Sequence, residues 1–226
     1  MNALSTHMDH LTAVDLFRSS ATGKSHQILT DIYRDDVNMV IWQRDLCDAL
    51  VLAAHQIMET KPTLKVAMAV TPSDACSAIY TALGSTEYAQ TLSEDIAQLV
   101  DMFCCLFGLK RAGLRLVALD RAMCPRFHVD KVPSRLMTTY QGIATEWLPN
   151  HPLDRSKLGA GNDGKPDEQS GLFGTNDDIQ QLTKGDVALL KGEGWLGNQG
   201  AGLVHRSPHL SDKKRRLLLT LDFIDD

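Results

Sequence analysis

The chain has 226 residues, with 43% hydrophobic and 23% charged residues, values ordinary for a globular protein and long enough for a sizeable core. A formal net charge of −5 gives no general attraction to nucleic acid or an anionic membrane, and only Lys213-Lys214-Arg215-Arg216 makes a local basic run. No apolar run approaches the ~20 residues of a membrane-spanning helix, and Met1 to Thr12 lacks the basic-then-apolar pattern of a secretory leader.

Residues 1–25 are polar and weakly patterned and read as a flexible tail, leaving 26–226 as a single domain. Thr22-Gly23-Lys24-Ser25 has the ending of a phosphate-binding loop, but Arg18 stands where the first glycine belongs and no apolar strand precedes it. Residues 26–112 are mainly helical in pattern. Arg44 to Glu59 places Leu46, Leu50, Val51, Ala54, Ile57 and Met58 on one helical face. Leu64 to Val70 alternates as a strand. Thr71-Pro72-Ser73-Asp74 has the character of a helix start, with Thr71 as cap, and that helix stops near Gly84. Thr91-Leu92-Ser93-Glu94 has the form of a capping box opening a third helix, with Ile96, Leu99, Val100, Phe103 and Phe107 inward and Gly108 as the stop.

From residue 113 to 226 the pattern turns to short strands: Leu114 to Leu119, Arg126 to Asp130, Arg135 to Tyr140, Asp186 to Leu190 and Arg216 to Phe223. Residues 150–183, rich in Gly and Asp, read as a flexible insertion over one barrel mouth. The expected architecture is α+β, with the N-terminal helices packed on a double-stranded β-helix of jelly-roll or cupin type. Five cysteines at 47, 76, 104, 105 and 124, an odd number without CxxC spacing, fit a reducing cytoplasm rather than a disulfide scaffold.

The chemistry-bearing residues lie in this second half. On a strand, alternate residues share a face, so Arg126, His128 and Asp130 point together while Phe127 and Val129 point back toward the helices. His205 follows the Gly185–Leu190 strand, and Arg216 opens the last one. With Arg216 inward, Leu218 and Thr220 share its face and Leu217, Leu219, Leu221 and Phe223 pack away. Two imidazoles and a carboxylate on one side of a metal leave coordination positions open, the arrangement of non-haem Fe(II) oxygenases. A buried arginine suits the far carboxylate of a bound 2-oxo acid.

The order His128-Val129-Asp130, Arg135-Leu136-Met137-Thr138-Thr139-Tyr140, Gly142 to Trp147, Gly185-Asp186, His205 and Arg216 resembles the prolyl-hydroxylase-like group of iron/2-oxoglutarate oxygenases. The resemblance covers about Arg126 to Phe223. It implies a double-stranded β-helix, Fe(II) on His128, Asp130 and His205, 2-oxoglutarate on Arg216 with help from Tyr140, and oxidation of an unactivated C–H bond. Two positions depart from that pattern: Leu218 replaces the usual Ser or Thr after the arginine, and the turn after Tyr140 carries only Gly142. The stretches CPRFHVDKVPSRLMTTYQG, TEWLP, GDVALLKGE and GLVHRSP are similar to a bacterial family catalogued as a domain of unknown function.

Around this set, Arg126, Arg135, Glu146 and Trp147 are candidates for contacts with substrate or with the ligands. His209 and Cys124 are the alternative metal donors. A cupin-like carrier or sensor of zinc or iron, without oxygenase activity, is the competing reading. The substrate is not legible.

Overall fold

The computed structural model describes residues 18–151, 153–211 and 214–224. Among these, the chain is mixed α+β. Strand β1 (Ser19–Gly23) leads through a 3-10 stretch at His26–Tyr33 to β2 (Val37–Trp42). Helix α1 (Asp48–Thr60), β3 (Lys65–Val70), α2 (Ala75–Leu83) and α3 (Glu87–Phe107) follow. The remaining strands are β4 (Ala112–Leu119), β5 (Ser134–Gln141), β6 (Glu146–Leu148), β7 (Gln180–Gln181), β8 (Val187–Lys191), β9 (Val204–Arg206) and β10 (Arg216–Asp222).

The strands form two sheets. Seven pair in the order β1-β2-β8-β5-β10-β4-β3, and three in the order β7-β6-β9. Every pairing is antiparallel except β1 with β2. The large sheet carries apolar residues on both faces, and strand alternation decides which core each joins. Leu136, Tyr140, Val187, Leu189, Leu217, Leu219 and Leu221 share one cluster with Leu50, Ile57, Ile79, Ile96 and Phe103 of the helices. Met39, Ile41, Met137, Ala188, Leu190 and Leu218 face the other way. There they meet Ala144, Trp147 and Leu203 in the interior between the two sheets.

The helices bury the i, i+3, i+4, i+7 positions expected of amphipathic elements: Leu50, Ala53, Ala54 and Ile57 in α1, and Leu92, Ile96, Leu99, Val100 and Phe103 in α3. Their starts differ from the sequence reading. Helix α1 begins at Asp48 rather than Arg44, because Arg44 reaches out to form a forked pair with Asp95 (2.7 and 2.9 Å) and to donate to Gly185 O (3.0 Å). Helix α2 begins at Ala75. Thr71 does not cap it; its own N–H donates to Asp74 Oδ1 at 2.7 Å. Helix α3 is capped by Thr86, whose hydroxyl accepts from Ala89 N at 3.2 Å, so Thr91 and Glu94 lie inside the helix. The stops at Gly84 and Gly108 are where expected.

Three other expectations change. Within the proposed tail of 1–25, Arg18 is buried, donating to Asn198 Oδ1 (3.0 Å), and Ser19–Gly23 is an edge strand of the large sheet. Residues 1–17 lie outside the described residues, and His7 and His10 with them. The described part of the 150–183 segment is not a bare loop. It contributes Leu172, Leu153, Leu158, Phe173 and Ile179 to a third cluster with Phe127, Leu148 and Val204 on the outer face of the small sheet. Phe127 and Val129 therefore pack against this segment, not against the helices. No helix among the described residues is long and apolar enough to cross a membrane, and all five cysteines are free.

Candidate metal centre

Residues Arg126 to Asp130 do not form the predicted strand. Pro125 and Pro133 bracket the segment, and its one ladder contact is His128 opposite His205. Two backbone hydrogen bonds fix that pair: His128 N to His205 O at 3.1 Å and His205 N to His128 O at 3.0 Å. Direct opposition brings the imidazole centroids to 4.6 Å. Beyond His128 the chain bends, and Asp130 is placed by its own contacts. Its carbonyl accepts from Glu193 N (2.8 Å). Gly192 passes so close that a Cβ there would lie 2.6 Å from Asp130 O and 2.1 Å from Val132 O, so only glycine fits this crossing.

The three side chains lie close together. His128 Nε2 lies 3.7 Å from Asp130 Oδ1, and His205 Nε2 lies 3.5 Å from Asp130 Oδ2. The donor atoms of the three residues all lie within 4.8 Å of one another. Each imidazole has its Nδ1 against a main-chain carbonyl two residues back: Arg126 O at 3.0 Å for His128 and Leu203 O at 3.2 Å for His205. A carbonyl only accepts, so each Nδ1 carries a proton, and each Nε2 is turned toward the shared centre. Burial pushes the His205 imidazole down to about 4, against the opposing pull of Asp130, so it is neutral at ordinary pH. Two oriented imidazoles beside a carboxylate are a donor set that a divalent transition metal takes. His205 is buried, whereas the His128 side chain is 34% exposed and gives the centre an open side.

Arg135 supports the carboxylate. Its Nη1 contacts Asp130 Oδ2 at 2.7 Å, and its Nε and Nη2 contact the two oxygens of Asp222 at 2.6 and 3.1 Å. All three nitrogens are engaged, so Arg135 holds Asp130 in place rather than awaiting an anion. Arg126 likewise pairs with Asp167, its Nε 3.1 Å from Oδ1, and also donates to Lys165 O. Asp167, buried in the 150–183 segment, accepts from Phe127 N at 2.8 Å. It thereby ties that segment to the residue before His128.

The last strand behaves as its alternation predicts. Arg216 is fully buried and faces the interior between the sheets, alongside Leu218, whereas Arg215 is exposed and donates to Pro62 O (3.3 Å). Lys213, from the same basic run, lies outside the described residues. Only Nη2 of Arg216 finds partners, the hydroxyls of Thr139 (3.1 Å) and Thr145 (3.0 Å). Its Nε and Nη1 are buried with no partner among the described residues. Burial pulls this guanidinium down to about 10. A buried cation with unpaired donors costs free energy unless an anion meets it.

Tyr140 is not part of the site. Arg135, Met137 and Thr139 of β5 face the site, which turns Tyr140 into the helix-side core, where its hydroxyl donates to Asp95 Oδ2 at 2.6 Å. Desolvation there holds the phenol well above its usual range. Glu146 also faces outward, accepting from Arg206 Nε at 2.7 Å. Trp147 does line the interior, directly opposite His205 in the ladder. His209 and Cys124 are exposed and do not join the three donors. The sequence reading missed Asp222, Asp167 and Thr145. The shared face of Arg216, Leu218 and Thr220 extends to Asp222 and was the signal available for that residue.

The arrangement of two facing sheets is similar to the fold of a dioxygenase for auxin oxidation from rice. That likeness has a TM-score of 0.51 at 12% identity, covering 92% of this chain and 83% of that one. A prolyl-4-hydroxylase from Pseudomonas putida matches at 10% identity over 88% of this chain and 98% of that one, with a TM-score of 0.47. HygX from Streptomyces hygroscopicus, solved with nickel and 2-oxoglutarate bound, matches at 11% identity over 88% and 87%, also at 0.47. No curated protein matches at the level of sequence. The chain belongs to the DUF1826 family, a family of unknown function whose model matches residues 23–222.

Proposed function

We propose that the protein is an Fe(II)- and 2-oxoglutarate-dependent oxygenase that hydroxylates an as yet unidentified substrate, its two facing sheets forming a double-stranded β-helix. The observation that carries this reading is the pairing of an oriented His128-Asp130-His205 set with a buried Arg216 whose Nε and Nη1 lack partners. A carrier or sensor of zinc needs the first feature and has no use for the second.

In this reading His128, Asp130 and His205 hold the metal, and Arg216 receives the distal carboxylate of 2-oxoglutarate on the donors that lack protein partners. When bound, iron and 2-oxoglutarate together supply the oxidising power that activates dioxygen toward a C–H bond. The residues of this chain do the positioning. Thr139 and Thr145 fix the guanidinium. Arg135 fixes Asp130. Trp147, Met137, Leu190 and Leu218 keep the interior dry and strengthen the carboxylate–guanidinium contact.

Calorimetric titration of 2-oxoglutarate into anaerobic, Fe(II)-loaded protein tests the proposal. Wild-type protein binds one equivalent, and Arg216→Met loses that binding while retaining iron. Purified protein that holds zinc and takes up no 2-oxoglutarate with either metal sinks the oxygenase reading.

A further inference from the structure

The large sheet extends past the part that the small sheet covers. No residue of β3 joins the interior cluster, and β4 reaches it only through Val117 and Leu119. On the same face, Arg115 stands opposite Thr220 on one side and Ala67 on the other, and Gly113 stands opposite Asp222 and Ala69. The surface this leaves is a shelf of small residues ending at the Arg135–Asp222 pair.

That shelf is the floor of a pocket of about 310 Å³, walled by Val132, Arg135, Asp222, Phe223 and Ile224. Its volume is at the lower end of the ~300–1,000 Å³ of small-molecule sites. Ile224 folds over Gly113, where a Cβ would come within 2.6 Å of its Cγ2, so glycine keeps the shelf flat. The pocket adjoins the metal centre through Arg135, which contacts Asp222 in the wall and Asp130 beyond it. Its charges are unequal in availability. Arg135 is already shared between Asp222 and Asp130, whereas Arg115 is exposed and forms no ion pair with any described residue.

We propose that this pocket binds a small organic carboxylate with an apolar body, the body lying on Ala67, Ala69 and Ile224 and the carboxylate meeting Arg115. That this ligand is the substrate rests on the oxygenase reading; that it binds does not. Arg216, on the interior side, is reserved for the 2-oxo acid, so the two anions have separate cations.

Methyl NMR of alanine- and isoleucine-labelled protein tests the proposal, with phenylacetate as probe and neutral phenylacetamide as its comparison. Phenylacetate is expected to shift the Ala67, Ala69 and Ile224 methyls saturably. Affinity should fall about tenfold or more for the amide and in Arg115→Gln, as loss of a charge-assisted contact predicts. Ala69→Trp fills the shelf and should abolish the shifts, with the buried Ile79 methyl reporting an intact core in both variants. Absence of shifts at these methyls, or equal binding of the amide or by Arg115→Gln, overturns the proposal. Formation of an Fe(II)–2-oxoglutarate complex without phenylacetate binding removes the pocket alone. Phenylacetate binding without that complex removes the oxygenase reading and leaves the pocket standing.

Discussion

Arg135 joins Asp222 to Asp130 with a single guanidinium, at 2.6 Å on one side and 2.7 Å on the other. The link makes the geometry of a candidate metal ligand depend on a residue at the end of the last strand. Replacing Arg135 with Met leaves two carboxylates close together without their shared cation. Metal affinity, measured by Co(II) or Fe(II) titration, should fall about 10–100-fold, the range seen when partners of ligands are lost. Arg135→Lys should recover only part of this, because an ammonium cannot hold two carboxylates as a fork. Unchanged affinity in both variants would mean that Asp130 is positioned by its backbone alone.

Arg216 predicts an opposite pair of signs. In protein without 2-oxoglutarate its unpaired Nε and Nη1 are a burden, so Arg216→Met should raise stability, by roughly 1–3 kcal/mol, the cost of leaving buried donors unmet. The same substitution should remove the thermal shift that added 2-oxoglutarate gives metal-loaded wild-type protein. Differential scanning fluorimetry reads both. A destabilised Arg216→Met with a full ligand-induced shift contradicts the assigned role.

Tyr140 separates structural from cofactor roles. Its phenol, with Arg44, satisfies Asp95 in the core between α3 and the sheet. Tyr140→Phe should cost about 1–2 kcal/mol in urea denaturation, as a partly buried carboxylate loses one donor. It should leave 2-oxoglutarate affinity unchanged. A selective loss of that affinity would place the hydroxyl in the site after all.

Lys191 sets a pH dependence. It is buried, donates to Arg34 O at 2.7 Å and lies over the Trp195 ring. Burial, with Arg18 adding repulsion, pulls it from 10.5 to about 8. The folded state therefore binds this proton more weakly than the unfolded state. Stability should rise as pH climbs from 8 to 10.5, and the penalty is fully present below 8. Chemical denaturation at pH 7.5 and 9.5 should show a gain of roughly 1–3 kcal/mol, upper-bounded by the shift. Lys191→Met should flatten it.

The sequence carried the site further than it carried the surroundings. Alternation alone placed Arg216 inward with Leu218, and the same rule applied one residue at a time from Arg135 would have sent Tyr140 outward. There the family resemblance outweighed the phase. His128 and Asp130 do converge, but through a single ladder contact and a glycine crossing that no strand pattern encodes. Residues 150–183 looked unstructured because their burial rests on scattered side chains, Asp167, Leu172 and Phe173, with no period to detect. Strand β1 was invisible for a related reason: Ser19–Gly23 joins the sheet edge by backbone pairing and has no apolar stripe. At α3, Thr86 takes the cap one turn before Thr91, and two competing capping signals so close together cannot be ranked without the preceding Gly84 turn.

His128, Asp130, His205 and Arg216 are proposed to work as one site. The most direct test is the visible spectrum of the protein titrated anaerobically with Fe(II) and 2-oxoglutarate. A weak charge-transfer band should appear at one equivalent of each, vanish in His205→Ala with the metal, and vanish in Arg216→Met although iron stays bound. An absent band in correctly folded, iron-loaded wild-type protein, or one that survives His205→Ala, contradicts the account.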